Sequence, residues 1–202
     1  VVIIVTLYFI RHGETEWNAN GDMYCGRTDI NLSKEGEYQV VKNKFLLKNI
    51  EISKIISSPL IRAKETAKLM TNSDEIVVDN RVIEVDFGKW EGLTKQEIWE
   101  RYPKEWNEWV TSKDDDNVRI GEIGESYLEV KRRALAFIED FKHIDKNQNV
   151  LIFSHNTFIR LLIVAILEMP NYSYRKLKVD NASLTKVTVN KEETKVDYIN
   201  KF

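Results

Sequence analysis

The run Val1-Val2-Ile3-Ile4-Val5-Thr6-Leu7-Tyr8-Phe9-Ile10 passes without a break into Arg11-His12-Gly13-Glu14-Thr15. Apolar, aromatic and β-branched residues without alternation predict a strand buried on both faces, because a half-exposed strand would alternate. The run has the length of a signal-peptide core, but no basic segment precedes it and no small-residue cleavage site follows it. A buried strand ending abruptly in polar, chemically capable residues is the expectation.

Two other places repeat the pattern. Lys54-Ile55-Ile56-Ser57 runs into Ser58-Pro59-Leu60-Ile61-Arg62, and Val150-Leu151-Ile152-Phe153 runs into Ser154-His155-Asn156. Segments with helical period lie at 33–48, 59–71, 94–112, 126–143 and 156–169, with a further short strand at 76–79. The alternation predicts an α/β fold, a three-layer sandwich with a mostly parallel central sheet and helices on both faces. Helix starts are marked by Ser58-Pro59, read as an N-cap with proline at the first helical position, and by capping boxes at Thr94/Glu97 and Ser126/Glu129. Segments 183–190 and 194–200 alternate around Lys191-Glu192-Glu193, which predicts a C-terminal antiparallel edge hairpin.

Composition narrows the function classes. With 202 residues, 43% of them hydrophobic, and no internal repeat, the chain reads as a single domain over 1–202, with the Trp-rich segment 94–121 as a helical cap or lid insertion. One cysteine cannot form an internal disulfide, and three histidines do not supply a His-rich zinc centre; no metal and no cofactor are expected. A net charge of −2 gives no broad basic field, so neither nucleic acid nor an anionic membrane is an expected partner. The apolar stretch 158–167 is broken by Arg160 and is half the length of a membrane helix, about 20 residues. A soluble cytoplasmic protein is expected, with its oligomeric state open. Asp114-Asp115-Asp116 lacks the glycine and distal glutamate of a calcium loop and reads as solvated.

In open α/β sheets, ligands bind beyond the carboxyl ends of the strands. Three such ends carrying Arg11, His12, Arg62 and His155 point to one reactive, anion-binding pocket. Arg62 falls in the first turn of its helix, where the macrodipole disfavours a cation by up to about 1 kcal/mol. A bound anion accounts for that placement. His155 taken alone reads equally as a structural histidine, and Glu84 taken alone as a surface carboxylate pairing with Arg81 or Lys89. Ile98, Trp99, Tyr102, Trp106 and Trp109 read as packing rather than substrate stacking. Polar residues of the lid, Arg101, Lys104, Lys113 and Arg119, are either selectors of a second negative group or solvated face.

Arg11-His12-Gly13-Glu14-Thr15-Glu16-Trp17-Asn18 resembles the signature of the histidine phosphatase superfamily, in its phosphoglycerate mutase-like branch. Supporting stretches follow in the family's order: Cys25-Gly26-Arg27-Thr28-Asp29, Leu32-Ser33, Ser57-Ser58-Pro59-Leu60-Ile61-Arg62-Ala63, Glu84-Val85-Asp86-Phe87-Gly88-Lys89-Trp90-Glu91-Gly92, Gly124-Glu125-Ser126 and Ser154-His155. Two departures stand out. Asn156 replaces the common glycine after the second histidine, and Gly121-Glu122-Ile123-Gly124 replaces a Pro-Gly-Gly approach. The resemblance implies a phosphohistidine formed on His12, with Arg11, Arg62 and His155 around the phosphoryl oxygens and Glu84 as proton donor and acceptor. It also implies substrate contacts from Asn18, Cys25, Gly26 and Asn156, with Cys25 a small wall residue rather than a redox centre. In length the chain is similar to the small phosphatases, such as α-ribazole and broad-specificity phosphatases. The implied function is metal-independent hydrolysis of a small phosphorylated metabolite; phosphoglycerate mutase and a non-catalytic phosphate-binding regulator are the alternatives.

Overall fold

The computed structural model describes residues 2–112 and 116–202. Six strands form one sheet: β1 (Val5–Arg11), β2 (Lys54–Ser57), β3 (Val77–Val78), β4 (Gln148–Ser154), β5 (Leu184–Val189) and β6 (Thr194–Lys201). Their order is β3-β2-β4-β1-β5-β6. The first four run parallel, whereas β5 pairs antiparallel with β1 and β6 with β5. The mixed sheet and its C-terminal hairpin agree with the sequence expectation. After β1 the chain builds β2 and β3 to one side, then returns to insert β4 between β2 and β1. That return makes a switch point, and the registers Arg11↔Ser154 and Ser57↔Phe153 bring three strand ends level beside it.

Helices cover both faces. Along β1, Val5, Leu7 and Phe9 face one core with Val150 and Ile152, while Ile10, Leu151 and Phe153 belong to the other. The first core is closed by α6 (Tyr127–Lys142) and α7 (Asn156–Ile166), through Val130, Phe137, Phe158 and Leu162. The second is closed by α2 (Lys34–Lys42) and α3 (Ile61–Thr71), through Val40, Ala63, Ala67 and Met70. Each large apolar side chain fully buried this way contributes about 1.5–3 kcal/mol. Phe158, Ile159 and residues 161–165 are therefore core, and no helix among the described residues is long and apolar enough to cross a membrane. A four-residue helix, α1 (Glu16–Ala19), follows the β1 loop.

Three expectations about helices need correction. Helix α3 starts at Ile61 with Leu60 as its N-cap, not at Pro59. The Ser58 hydroxyl caps no helix; it accepts the Leu60 N–H at 3.3 Å and contacts the His155 ring. The segment 94–112 is two helices, α4 (Lys95–Arg101) and α5 (Pro103–Thr111), because a residue before proline is excluded from helical geometry and Tyr102 is extended in φ, at −131°. The helix expected over 33–48 ends at Lys42 and continues as a 3-10 turn, Asn43–Leu47. The capping boxes at Thr94 and Ser126 form as expected. Of the acidic run, Asp114 and Asp115 lie outside the described residues, as does Lys113; Asp116 accepts Asn171 Nδ2 at 2.8 Å.

The loop after β1 fits against the first turn of α2 only because both sides lack side chains. A Cβ on Gly13 would stand 2.6 Å from the Gly36 carbonyl, and one on Gly36 would stand 2.7 Å from the Glu14 nitrogen. The approach is fixed by Ser33, whose N–H donates to the Glu14 carbonyl at 2.9 Å. Gly36→Ala is expected to destabilise the protein by about 1–3 kcal/mol through overpacking, read as a lower urea midpoint at unchanged slope.

Candidate active site

The site is assembled from the ends of β1, β2 and β4. His12 follows β1, and its backbone N–H donates to the Ser154 carbonyl of β4 at 3.0 Å. Its ring is almost wholly buried, with Nδ1 2.7 Å from the Gly13 carbonyl oxygen. A carbonyl can only accept, so the geometry assigns the proton to Nδ1 and leaves the lone pair on Nε2. Gly13 N–H in turn donates to Thr66 Oγ1 on α3 at 3.0 Å, and Asn181 Nδ2 donates to the His12 carbonyl at 3.1 Å. The nucleophile candidate is therefore held from three directions.

Arg11, Arg62 and His155 surround it. Arg62 has no exposed surface; its NH2 donates to the Cys25 and Gly26 carbonyls at 3.1 and 2.7 Å, and its NH1 to Thr28 at 2.9 Å. These carbonyl contacts explain how a cation is tolerated in the first turn of α3, although its Nε has no partner among the described residues. The Arg11 NH1 donates to the Val179 carbonyl at 2.8 Å, and its Nε is likewise unpartnered. Burial lowers Arg11 to about 10, still charged at neutral pH. The His155 and His12 ring centroids lie 5.2 Å apart, and His155 Nε2 meets Ser58 Oγ at 2.7 Å. Burial first, then the positive charges of Arg62 and Arg11, hold His12 well below the ordinary histidine value. Burial, Arg62, His12, Arg133 and Arg11 do the same to His155. Both rings are neutral.

Glu84 is no surface carboxylate. It is 3% exposed, whereas Arg81 pairs with Asp79 and Asp140, and Lys89 with Glu122. Its Oε1 accepts the N–H groups of Val85 at 2.8 Å and Phe158 at 2.9 Å, and its Oε2 accepts Thr157 at 3.2 Å. Glu84 thus occupies the N-terminus of α7, whose N-cap residue His155 makes no capping bond of its own.

A cavity of about 310 Å³ opens beside these groups; of the expected site residues Arg11, His12, Glu84, Asn18, Cys25 and Asn156 line it, whereas Arg62 and His155 do not. Asn18 spends its Oδ1 on the Thr15 N–H at 3.2 Å, capping α1. Burial raises the Cys25 thiol to about 11, which leaves it protonated and suits a wall residue. Gly26 does not line the cavity; its contribution is the carbonyl on Arg62, and a Cβ there would stand 2.9 Å from the Val85 carbonyl and collide with the Glu91 carboxylate. Nine lining residues were not foreseen as site residues; besides Gly21, Asp22, Met23, Phe87 and Thr157 they are Tyr24, Lys95, Arg160 and Tyr174. The Arg160 guanidinium lies 5.2 Å over the Tyr174 ring, and among the described residues neither Arg160 nor Lys95 forms an ion pair. A lone arginine inside the apolar run 158–167 was the available signal for Arg160. Of the lid cations, Arg101 pairs with Glu97, Arg119 pairs with Glu129, and Lys104 is exposed; none lines the cavity. Trp109 and Ile98 are buried and Trp106 packs 5.5 Å from Trp90, as expected of packing residues, while Trp99 is 61% exposed. A wider hollow of about 620 Å³, lined in part by Lys54, Asp74 and Glu75, holds no histidine and no buried charge. Among the described residues no group of His, Cys, Asp or Glu is placed to hold a metal ion.

The chain is 32% identical over 182 residues to phosphoserine phosphatase 1 of Hydrogenobacter thermophilus, covering 89% of this chain and 84% of that protein. It is 30% identical over 186 residues to the Escherichia coli protein named "Probable phosphoglycerate mutase GpmB", covering 91% and 85%. The fold superposes on the α-ribazole phosphatase of Shigella flexneri with a TM-score of 0.82 at 26% identity, over 97% and 96% of the two chains. Residues 7–201 match the histidine phosphatase superfamily (branch 1), and with Arg11, His12, Arg62, Glu84 and His155 all buried this chain belongs to that superfamily.

Proposed function

We propose that this protein hydrolyses a small phosphomonoester through a phosphohistidine on His12, with guanidinium groups rather than a divalent cation neutralising the phosphoryl oxygens. The observation that carries this is the Nδ1 contact of His12 with the Gly13 carbonyl at 2.7 Å, which aims a neutral Nε2 lone pair from within a cluster of buried cations. Phosphoryl transfer depends on positioning and charge stabilisation at the equatorial oxygens more than on covalent chemistry by the protein. Arg11, Arg62 and His155 supply hydrogen-bond donors for those oxygens. Nε2 forms a bond to phosphorus as the ester P–O bond breaks, and Glu84 in its acid form delivers a proton to the departing oxygen. Glu84, now a carboxylate, then takes a proton from water as its oxygen attacks phosphorus and the P–N bond breaks, which releases phosphate and restores both groups.

The segment 94–121 serves as the cap of a single domain and contributes Lys95 to the cavity. Lys95 and Arg160 favour a substrate with a carboxylate besides its phosphate. The phosphoserine and phosphoglycerate named in two relatives have that chemistry, and the ribazole phosphate of the third does not. Asn18 and Asn156 complete the substrate contacts.

Labelled substrate quenched in base is expected to leave an acid-labile phosphoenzyme in the wild type and none in His12→Ala, with hydrolysis unchanged by EDTA. Conversion of 3-phosphoglycerate to 2-phosphoglycerate without phosphate release, in the presence of 2,3-bisphosphoglycerate, would instead identify a mutase. Lys95→Met and Arg160→Met are each expected to raise KM for phosphoserine about tenfold while moving KM for phenyl phosphate little, as loss of one charged contact of about 1.5–3 kcal/mol implies. Because His12 and His155 remain neutral in the fold and become protonated when unfolded, the unfolded state binds more protons below the ordinary histidine value of about 6.5. Thermal unfolding scans should therefore show stability falling as pH drops below that value, by up to about 1.4 kcal/mol per pH unit for each ring.

A further inference from the structure

Glu84 sits on a stretch that is neither strand nor helix, between the 3-10 turns Asn80–Val82 and Gly88–Trp90. Irregular backbone does not by itself hold a side chain in register with a helix terminus. Besides Ser154 Oγ, which donates to the Val82 carbonyl at 2.8 Å, one guanidinium on α6 braces the stretch. Arg133 NH1 donates to the carbonyls of Arg81 at 2.8 Å and Ile83 at 2.7 Å, and NH2 reaches the carbonyl of Glu84 itself at 3.3 Å. The remaining donors fork onto Glu125, Nε to Oε1 and NH2 to Oε2, both at 2.9 Å. Glu125 extends the brace, accepting the Asp86 N–H at 3.1 Å and pairing with Arg27 at 3.2 Å. The same guanidinium lies 4.9 Å over the ring of Phe158, the residue whose N–H holds Glu84 Oε1.

We propose that Arg133 is a positioning residue for Glu84: it clamps the backbone that carries the carboxylate and, through Phe158, the helix turn that receives it. Neither Arg133 nor Glu125 lines the cavity, so their effect on the reaction passes through Glu84. A planar fork with five donors fits three carbonyls and a carboxylate at once; lysine keeps the charge but cannot reproduce that geometry. The inference rests on the proton-donor role given to Glu84 above.

The test is the dependence of kcat/KM on the leaving group, which reports the first half-reaction. Phenyl phosphate needs its departing oxygen protonated, whereas the 4-nitrophenoxide of 4-nitrophenyl phosphate departs readily as the anion. General acids contribute about 10²–10⁴-fold, so a displaced one should cost a measurable part of that factor on phenyl phosphate alone. Arg133→Lys is expected to lose about tenfold or more on phenyl phosphate relative to 4-nitrophenyl phosphate, and Glu125→Gln to shift the ratio in the same direction by less. An equal fall on both substrates, or none, overturns the positioning role; should Arg133→Lys fail to fold, the ratio in Glu125→Gln decides alone. Phosphoenzyme trapping in the wild type separates the two layers, since its absence refutes the phosphohistidine reading, while its presence with an unchanged ratio refutes only the part assigned to Arg133.

Discussion

Arg62 is a full positive charge with no exposed surface and no carboxylate within ion-pair distance among the described residues. Removing a charge from water is costly by several kcal/mol unless hydrogen bonds replace the solvent. Much of the site follows from meeting that cost with carbonyl oxygens from 25–28. That loop must in turn be held, and Glu91 holds it, with Oε1 accepting Arg27 N–H at 2.7 Å and Oε2 accepting Thr28 N–H at 2.9 Å. Gly26 follows from the same requirement, because its carbonyl can reach Arg62 only where nothing stands between the loop and Glu91. Carbonyl dipoles solvate the guanidinium without neutralising it, which leaves its field available to an incoming phosphate.

The carboxyl group of Glu84 is treated in the opposite way. Glu84 takes the backbone donors of α7 instead of pairing with Arg11 or Arg62, so Glu84 and Arg11 line one cavity without forming an ion pair. Their separation is maintained by different parts of the chain. The cations are fixed from 25–28 and 179, and the carboxylate from α6 and α7. Two neutral histidines between them add hydrogen-bonding capacity without further positive charge.

Much of this was legible in the sequence, wherever the controlling chemistry is local. Thr94 and Ser126 start their helices as their capping boxes dictate, since the partners Glu97 and Glu129 lie three residues away. Strand ends bearing His12 and His155 converge because a parallel sheet brings carboxyl ends to one side. Ser58 misled because its hydroxyl is claimed by His155, 97 residues distant, a competitor that a window of local sequence does not contain. Lys95, Arg160, Tyr24 and Tyr174 escaped notice for the same reason: they come from separate elements, and only packing brings them to one wall. The family resemblance supplied Glu84, whose neighbours alone suggested a surface ion pair.

β1 lies between β4 and β5, and the segment entering β5 closes on its end, with Ala182 N–H donating to the Arg11 carbonyl at 3.0 Å. The strand that ends in the nucleophile is thus flanked by segments lying more than 130 residues further along the chain. Such pairings carry a high loop-closure cost and form late, so residues 11 and 12 acquire their native surroundings only after almost all the domain has been synthesised. A nascent or truncated chain presents the RHGE signature intact, yet holds it on a strand with neither neighbour in place.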